Sequence, residues 1–231
     1  MTDLHFDPPM TMARVHAAHR WIIPTAAVLF VALALGAVEG WLVWDEPITH
    51  WVVGARTPWL NDVFRRISFF GSTPVVLTVS AVAAALAWRR CPRLAIAIVV
   101  IALARPLAEW ALKELVSRDR PTGDRLVGGL GYSFPSGHPM AAAASWGVLP
   151  LVVALHSKRR LLWWSVAIAV WVLAVLVAIS RVWLGVHWTS DVIAGLLLAV
   201  LGVAGAERLI DANHRSCGLH SGRRLERDDF D

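Results

Sequence analysis

Six long apolar blocks constrain this chain more than any other feature: they run near residues 21–43, 72–88, 94–116, 139–156, 161–180 and 188–210. A helix crosses the hydrocarbon layer of a bilayer with about 20 predominantly apolar residues, because lipid offers its backbone polar groups no other partner. Blocks of this length, joined by short polar connections, predict an all-α polytopic membrane protein with six transmembrane helices. Of the 231 residues, 57% are hydrophobic and only 17% charged, whereas soluble domains carry about a quarter charged residues. The first block is not expected to be a cleaved signal, since "EGWLVWDEP" follows where a small-residue cleavage site would stand. Trp21, Trp41, Trp44, Trp88, Trp163, Trp164 and Trp188 fall near the proposed span ends, the depth that amphipathic rings prefer.

Orientation follows from the short connections. "WRRCPR" (88–93) and "HSKRR" (156–160) join spans two to three and four to five. Arg208, Arg215, Arg223, Arg224 and Arg227 of the tail share their side, as do Arg14 and Arg20 ahead of span one. The positive-inside rule makes this side cytoplasmic, with both termini on it. The net charge of +5 therefore calls for no nucleic-acid partner. Cys91 and Cys217 fall on the reducing side and are expected as free thiols. The predicted organisation is a cytoplasmic segment 1–20, a six-helix membrane domain 21–210 and a charge-mixed tail 211–231, expected to be disordered. Residues 44–71, 117–138 and 181–187 reach the outer face. The first of these mixes apolar and charged residues and is expected to lie along the interface as a helix between the first two spans.

Outer connections should be poor in Lys and Arg, yet 113–125 carries Lys113, Arg118, Arg120 and Arg125, and Arg181 closes span five. Arg118 and Arg125 read as headgroup anchors. The other cations keep different company. Three segments meet at this depth: "KELVSRDRP" (113–121), "PSGH" (135–138) and "SRVWLGVHWTSD" (180–191). Two histidines and an aspartate could ligate zinc, but the surrounding cations would repel a dication and attract an anion. An oxyanion site is the better reading. It calls for no metal and no cofactor.

The spacings suit a phosphate. His187 and Asp191, four apart at a helix start, share a face, so the carboxylate can hold one ring nitrogen and raise the nucleophilicity of the other. Ser136 and Gly137 open a helix whose backbone N–H groups an anion can approach, while Pro139 suits the first turn and offers no donor. Lys113 supplies a point charge, and Arg120 and Arg181 supply forked donors. Arg105, Glu109 and Lys113 recur every four residues along span three. Intramembrane charges pair, so Arg105 and Glu109 are expected to do so, with Glu109 orienting Lys113. Pro106 is expected to kink this helix.

The chain resembles the type 2 phosphatidic acid phosphatase superfamily, whose membrane members are lipid phosphate phosphatases and whose soluble relatives include vanadium haloperoxidases. The signature K-x6-R-P is matched by Lys113, Arg120 and Pro121, and P-S-G-H by Pro135, Ser136, Gly137 and His138. S-R-x5-H-x3-D is matched by Ser180, Arg181, His187 and Asp191. The resemblance implies a metal-independent phosphatase acting through a phosphohistidine. His187 would be the nucleophile, Asp191 its orienting partner and His138 the general acid. Lys113, Arg120, Ser136, Gly137 and Arg181 would bind the phosphoryl oxygens.

The expected partners are the bilayer and a lipid phosphate presented at the periplasmic or extracellular face of the cell membrane. Within that class a polyprenyl diphosphate is preferred, with Arg118 and Arg125 as spare cations for a second phosphate; phosphatidic acid or phosphatidylglycerol phosphate comes next. The alternatives are a phosphotransferase, which passes the phosphate to a lipid or sugar, and a lipid transporter. The transporter reading is weakened because the reactive residues share one depth, away from the midplane.

Overall fold

The computed structural model describes residues 12–157 and 159–211, and these residues contain helices and connections but no strand. The helices are α1 (Met12–Glu39), α2 (Asp45–Gly54), α3 (Pro58–Phe69), α4 (Thr73–Trp88), α5 (Pro92–Val116), α6 (Gly137–Gly147), α7 (Leu149–His156), α8 (Arg160–Trp183) and α9 (Thr189–Asp211). Prolines open α3, α4, α5 and α7, in the first turn, where a missing N–H breaks no bond. Thr57 caps α3, its Oγ1 accepting from Leu60 N at 3.4 Å. Ser117 ends α5 in the left-handed region (φ 48°), donating its N–H to Lys113 O at 2.8 Å.

Relative to a soluble bundle the chain is inverted. Val28 and Leu35 of α1, Leu103 and Leu107 of α5, and Leu161 and Ile168 of α8 face outward. Between helices lie small residues: Ala83 and Ala87 of α4 against Ala95 of α5, and Ala143 and Ala144 of α6 against Ala174 of α8 and Ala199 of α9. In lipid, association rests on close packing rather than on expulsion of water, which favours such residues at the contacts. Helix α6 is central. It packs on α4, α5, α8 and α9 and is buried almost throughout.

Among the described residues, four helical stretches are long and apolar enough to span a membrane: Arg20–Glu39, Pro92–Val116, Gly137–His156 and Arg160–Trp183. A fifth appears if α3 and α4, bent by 40° at their break, form one span. This is fewer than the six predicted. Helix α4 has only 16 residues, and the apolar part of α9, Thr189–Gly205, also falls short of the roughly 20 that a full crossing takes. The segment expected as one interfacial helix forms two, α2 and α3. Helix α3 turns Leu60 and Phe64 toward Trp183, Leu184 and Val186, with the Phe64 and Trp183 rings 4.6 Å apart. Pro106 lies within the continuous helix α5.

Cys91 is buried and disulfide-bonded, which corrects the expectation of a free thiol. Membrane side alone grounded that expectation. Cys217 and the tail beyond Asp211, expected to be disordered, lie outside the described residues.

Candidate active site

The three motifs converge where the ends of α5 and α8 meet the starts of α6 and α9. His187 lies in the connection after α8, 2% exposed. Its Nδ1 is 3.5 Å from Asp191 Oδ2 and 3.5 Å from Ser133 Oγ. Ser133 Oγ donates a very short hydrogen bond to the same carboxylate oxygen. On the opposite edge of the ring, Arg120 Nη1 approaches Nε2 at 3.2 Å. With acceptors on one side and a guanidinium on the other, the ring proton belongs on Nδ1, and Nε2 keeps its lone pair. Burial lowers the His187 pKa to about 4 against the pull of Asp191, so the imidazole is neutral at physiological pH.

Asp191 is held locally as well. Its Oδ2 accepts from Trp188 N at 2.9 Å, the reciprocal half of a capping box at the start of α9. Asp191 O accepts from Ser136 N at 3.0 Å, which ties the PSGH turn to α9. Gly195, one turn on, leaves room for this approach: a Cβ there would stand 2.5 Å from Ser136 O. The connection before His187 is fixed by Gly185 (φ +75°) and by Arg56. Arg56 donates from Nε to Trp183 O and from Nη1 to Asp124 O, each at 2.8 Å.

Ser136 stands at the N-cap of α6 without capping it. Its buried Oγ has no hydrogen-bond partner among the described residues, and neither does Arg181 Nε. Arg181 is anchored through Nη1 to Ser68 Oγ of α3 at 2.7 Å. Helix α5 brings Lys113 alongside: Glu109 accepts from Lys113 Nζ at 2.9 Å and from Arg105 Nη1 at 2.8 Å. The Glu109 carboxylate rests on Gly137, where an added Cβ would lie 2.1 Å from Oε1. The sequence expectation for this stripe thus matches the ion pairs seen. His138 opens α6 within electrostatic reach of Arg181, His187, Arg105 and Lys113. All eight residues singled out from the sequence therefore fall in one region.

Arg118 differs from its reading as an exposed anchor. It is largely buried, bonded through Nη1 to Asp191 Oδ1 at 2.7 Å and through Nη2 to Asp45 Oδ2 at 2.8 Å. Arg125 folds back onto Pro121 O, from Nε at 3.2 Å and Nη2 at 2.9 Å. Sequence reasoning also missed Asp45, Ser133 and Ser190. Ser133 sits only two residues before Pro135, but no spacing rule marks it.

Comparison with known proteins decides the family: a sequence model of the PAP2 superfamily matches residues 63–215. The chain belongs to the PAP2 superfamily. This PAP2 protein is 34% identical over 186 residues to phosphatidylglycerophosphatase B of Bacillus subtilis (strain 168), covering 77% of the chain and 90% of that protein. It is 35% identical over 119 residues to the putative undecaprenyl-diphosphatase YbjG of Escherichia coli (strain K12), covering 47% and 54%. The crystal structure of the first transmembrane PAP2 type phosphatidylglycerolphosphate phosphatase from Bacillus subtilis superposes with a TM-score of 0.78 at 30% identity, over 84% of this chain and 98% of that one. As a PAP2 member, the chain is a membrane phosphatase, a hydrolase.

Proposed function

We propose that this PAP2 phosphatase hydrolyses a lipid phosphate monoester at the outer membrane face through a phosphohistidine on His187. The observation that carries the reading is the clamp on that ring, between Asp191 at Nδ1 and Arg120 at Nε2. Beside it lie two buried donors without partners among the described residues, Ser136 Oγ and Arg181 Nε, and a buried donor left unpaired costs about 1–3 kcal/mol. A phosphoryl oxygen satisfies both. His187 Nε2 attacks phosphorus in line, and the bond from phosphorus to the lipid oxygen breaks. As the N–P bond forms, Arg120 Nη1 is released from Nε2 to a phosphoryl oxygen. His138 gives its proton to the leaving alkoxide, then takes one from the water that attacks the phosphohistidine; the N–P bond breaks and phosphate leaves. Lys113 and the Gly137 N–H complete the cradle.

The substrate reading moves from diphosphate to monoester. Arg118 is committed to two carboxylates, so the second-phosphate site inferred from spare cations keeps only Arg125, an exposed side chain bonded to Pro121 O. Phosphatidylglycerol phosphate is the substrate proposed, supported by the Bacillus subtilis relative of that name and its coverage. Phosphate release from phosphatidylglycerol phosphate and from a polyprenyl diphosphate, in detergent, tests this. The expected result is a higher kcat/KM on the monoester, full activity in excess chelator without any acceptor, and inhibition by vanadate, a mimic of the phosphoryl-transfer geometry. Preference for the diphosphate would overturn the substrate assignment. Loss of activity in chelator, restored by zinc or magnesium, would overturn the phosphohistidine.

For topology, we take α9 as the sixth span, α2 and α3 as lying along the outer interface, and both termini as cytoplasmic. In a background with Cys91 and Cys217 replaced by serine, Gly128→Cys is expected to react with an impermeant thiol reagent from outside and His156→Cys is not. The reverse labelling would put the site in the cytoplasm.

A further inference from the structure

Behind Asp191 lies a second buried carboxylate. Asp45, at the start of α2, is 2% exposed and Asp191 fully buried, and Arg118 bridges them. Arg118 Nη1 donates to Asp191 Oδ1 at 2.7 Å and to Ser190 Oγ at 2.6 Å, while Nη2 donates to Asp45 Oδ2 at 2.8 Å. Asp45 in turn accepts from Ser190 N at 2.9 Å and from Ser190 Oγ at 2.5 Å. Buried charges are poor devices for stability, because desolvation offsets most of what pairing returns. An apolar side chain would dock α2 on α9 as well. The arrangement is asymmetric in a way that docking does not require. Arg118 holds Oδ1, the carboxylate oxygen that His187 does not use, and so fixes the plane in which Oδ2 faces Nδ1.

We infer that Asp45 and Arg118 are positioning residues for the phosphatase reaction, setting through Asp191 how strongly His187 is oriented and polarised. The inference rests on His187 as nucleophile. Arg118 draws charge from Asp191, and Asp45 limits how much. Without the Asp45 charge, Arg118 would weaken the hold of Asp191 on the imidazole N–H. Without Arg118, two neighbouring carboxylates would face each other unshielded. The charged groups facing His187 itself are Asp191, Arg120, Arg181 and, when protonated, His138; Arg118 and Asp45 form the layer behind.

The test is kcat and KM for a lipid phosphate monoester in detergent, across pH, for Asp45→Asn, Arg118→Gln and the double variant, with Asp45→Glu and Arg118→Lys as charge-preserving controls. Both single variants are expected to lose about tenfold or more in kcat with KM little changed, since ground-state binding is untouched. The variant-to-wild-type rate ratio cancels the titration of the substrate itself. Towards low pH that ratio should rise for Asp45→Asn, because added positive character disfavours protonation of His187, and fall for Arg118→Gln, by about half a pH unit each way. The double variant should return towards a flat ratio, and the controls should regain activity. A flat ratio in both single variants, or a loss confined to KM, would overturn the inference; so would wild-type activity in either. His187→Ala in the same assay separates the two claims. If it is active, the nucleophile is wrong; if it is dead while Asp45→Asn is silent, only the relay falls.

Discussion

A His187→Ala enzyme is expected to release lipid phosphate no faster than background. Among the described residues no other side chain in the region offers an unprotonated nitrogen with a carboxylate behind it and a guanidinium in front, so they provide no detour to a covalent intermediate. Retention of more than about a hundredth of wild-type activity would correspond to a barrier increase under ~2.7 kcal/mol and would mean that the role is misassigned. The pH dependence has a definite sign. Burial favours the neutral ring and holds its pKa at about 4, so loss of rate through His187 protonation is expected only near pH 4 and below. Asp191→Asn is expected to be more damaging than loss of orientation alone would make it. The carboxylate accepts from Arg118, Ser133 and Trp188 N, and an amide placed there must turn an NH2 group towards one of those donors. The buried Arg118 then loses part of its charge partner, at a cost of several kcal/mol for such pairs.

What the sequence made legible was whatever is encoded at short range. The apolar blocks, the four-residue spacing of His187 and Asp191, and the stripe Arg105, Glu109 and Lys113 all express helical period, and the ion pairs of Glu109 follow it. The breaks were less legible. One block divides into α6 and α7 at Val148, two residues before Pro150, and the outer segment divides into α2 and α3, because a proline or a bend redirects a helix without changing its hydropathy. The contacts behind the site were not legible at all. Asp45 meets Ser190 across 145 residues and Arg118 across 73, and nothing local in "WDEP" distinguishes a buried capping carboxylate from an interfacial one. Arg118 shows the same limit from the other side. An arginine near a span end satisfies both the headgroup reading and the ion-pair reading, and only docking of α2 separates them.

Replacing Arg120 by lysine is expected to be nearly as damaging as loss of the nucleophile, although the charge is kept. A guanidinium has five N–H donors, and Arg120 uses them all. Nε bonds Gly131 O, and Nη2 bonds Leu130 O and Tyr132 O. Nη1 bonds Val186 O and meets His187 Nε2. The residue thus pins the loop leading to PSGH against the connection that carries His187, and only the donor on Nε2 is free to pass to a phosphoryl oxygen as the N–P bond forms. Lysine has three donors radiating from a single nitrogen and cannot span both loops. At least two of these acceptors would lose their partner, at about 1–3 kcal/mol for each that stays buried, and the nucleophile would drift from its line of attack. The expected outcome for Arg120→Lys is a fall in kcat/KM of about a hundredfold or more, together with a lower unfolding temperature in detergent. If Arg120 served as a point charge alone, lysine would retain at least about a tenth of the activity with stability unchanged. That result would remove the fork from the mechanism and leave Lys113 and Arg181 as the groups that hold the phosphate.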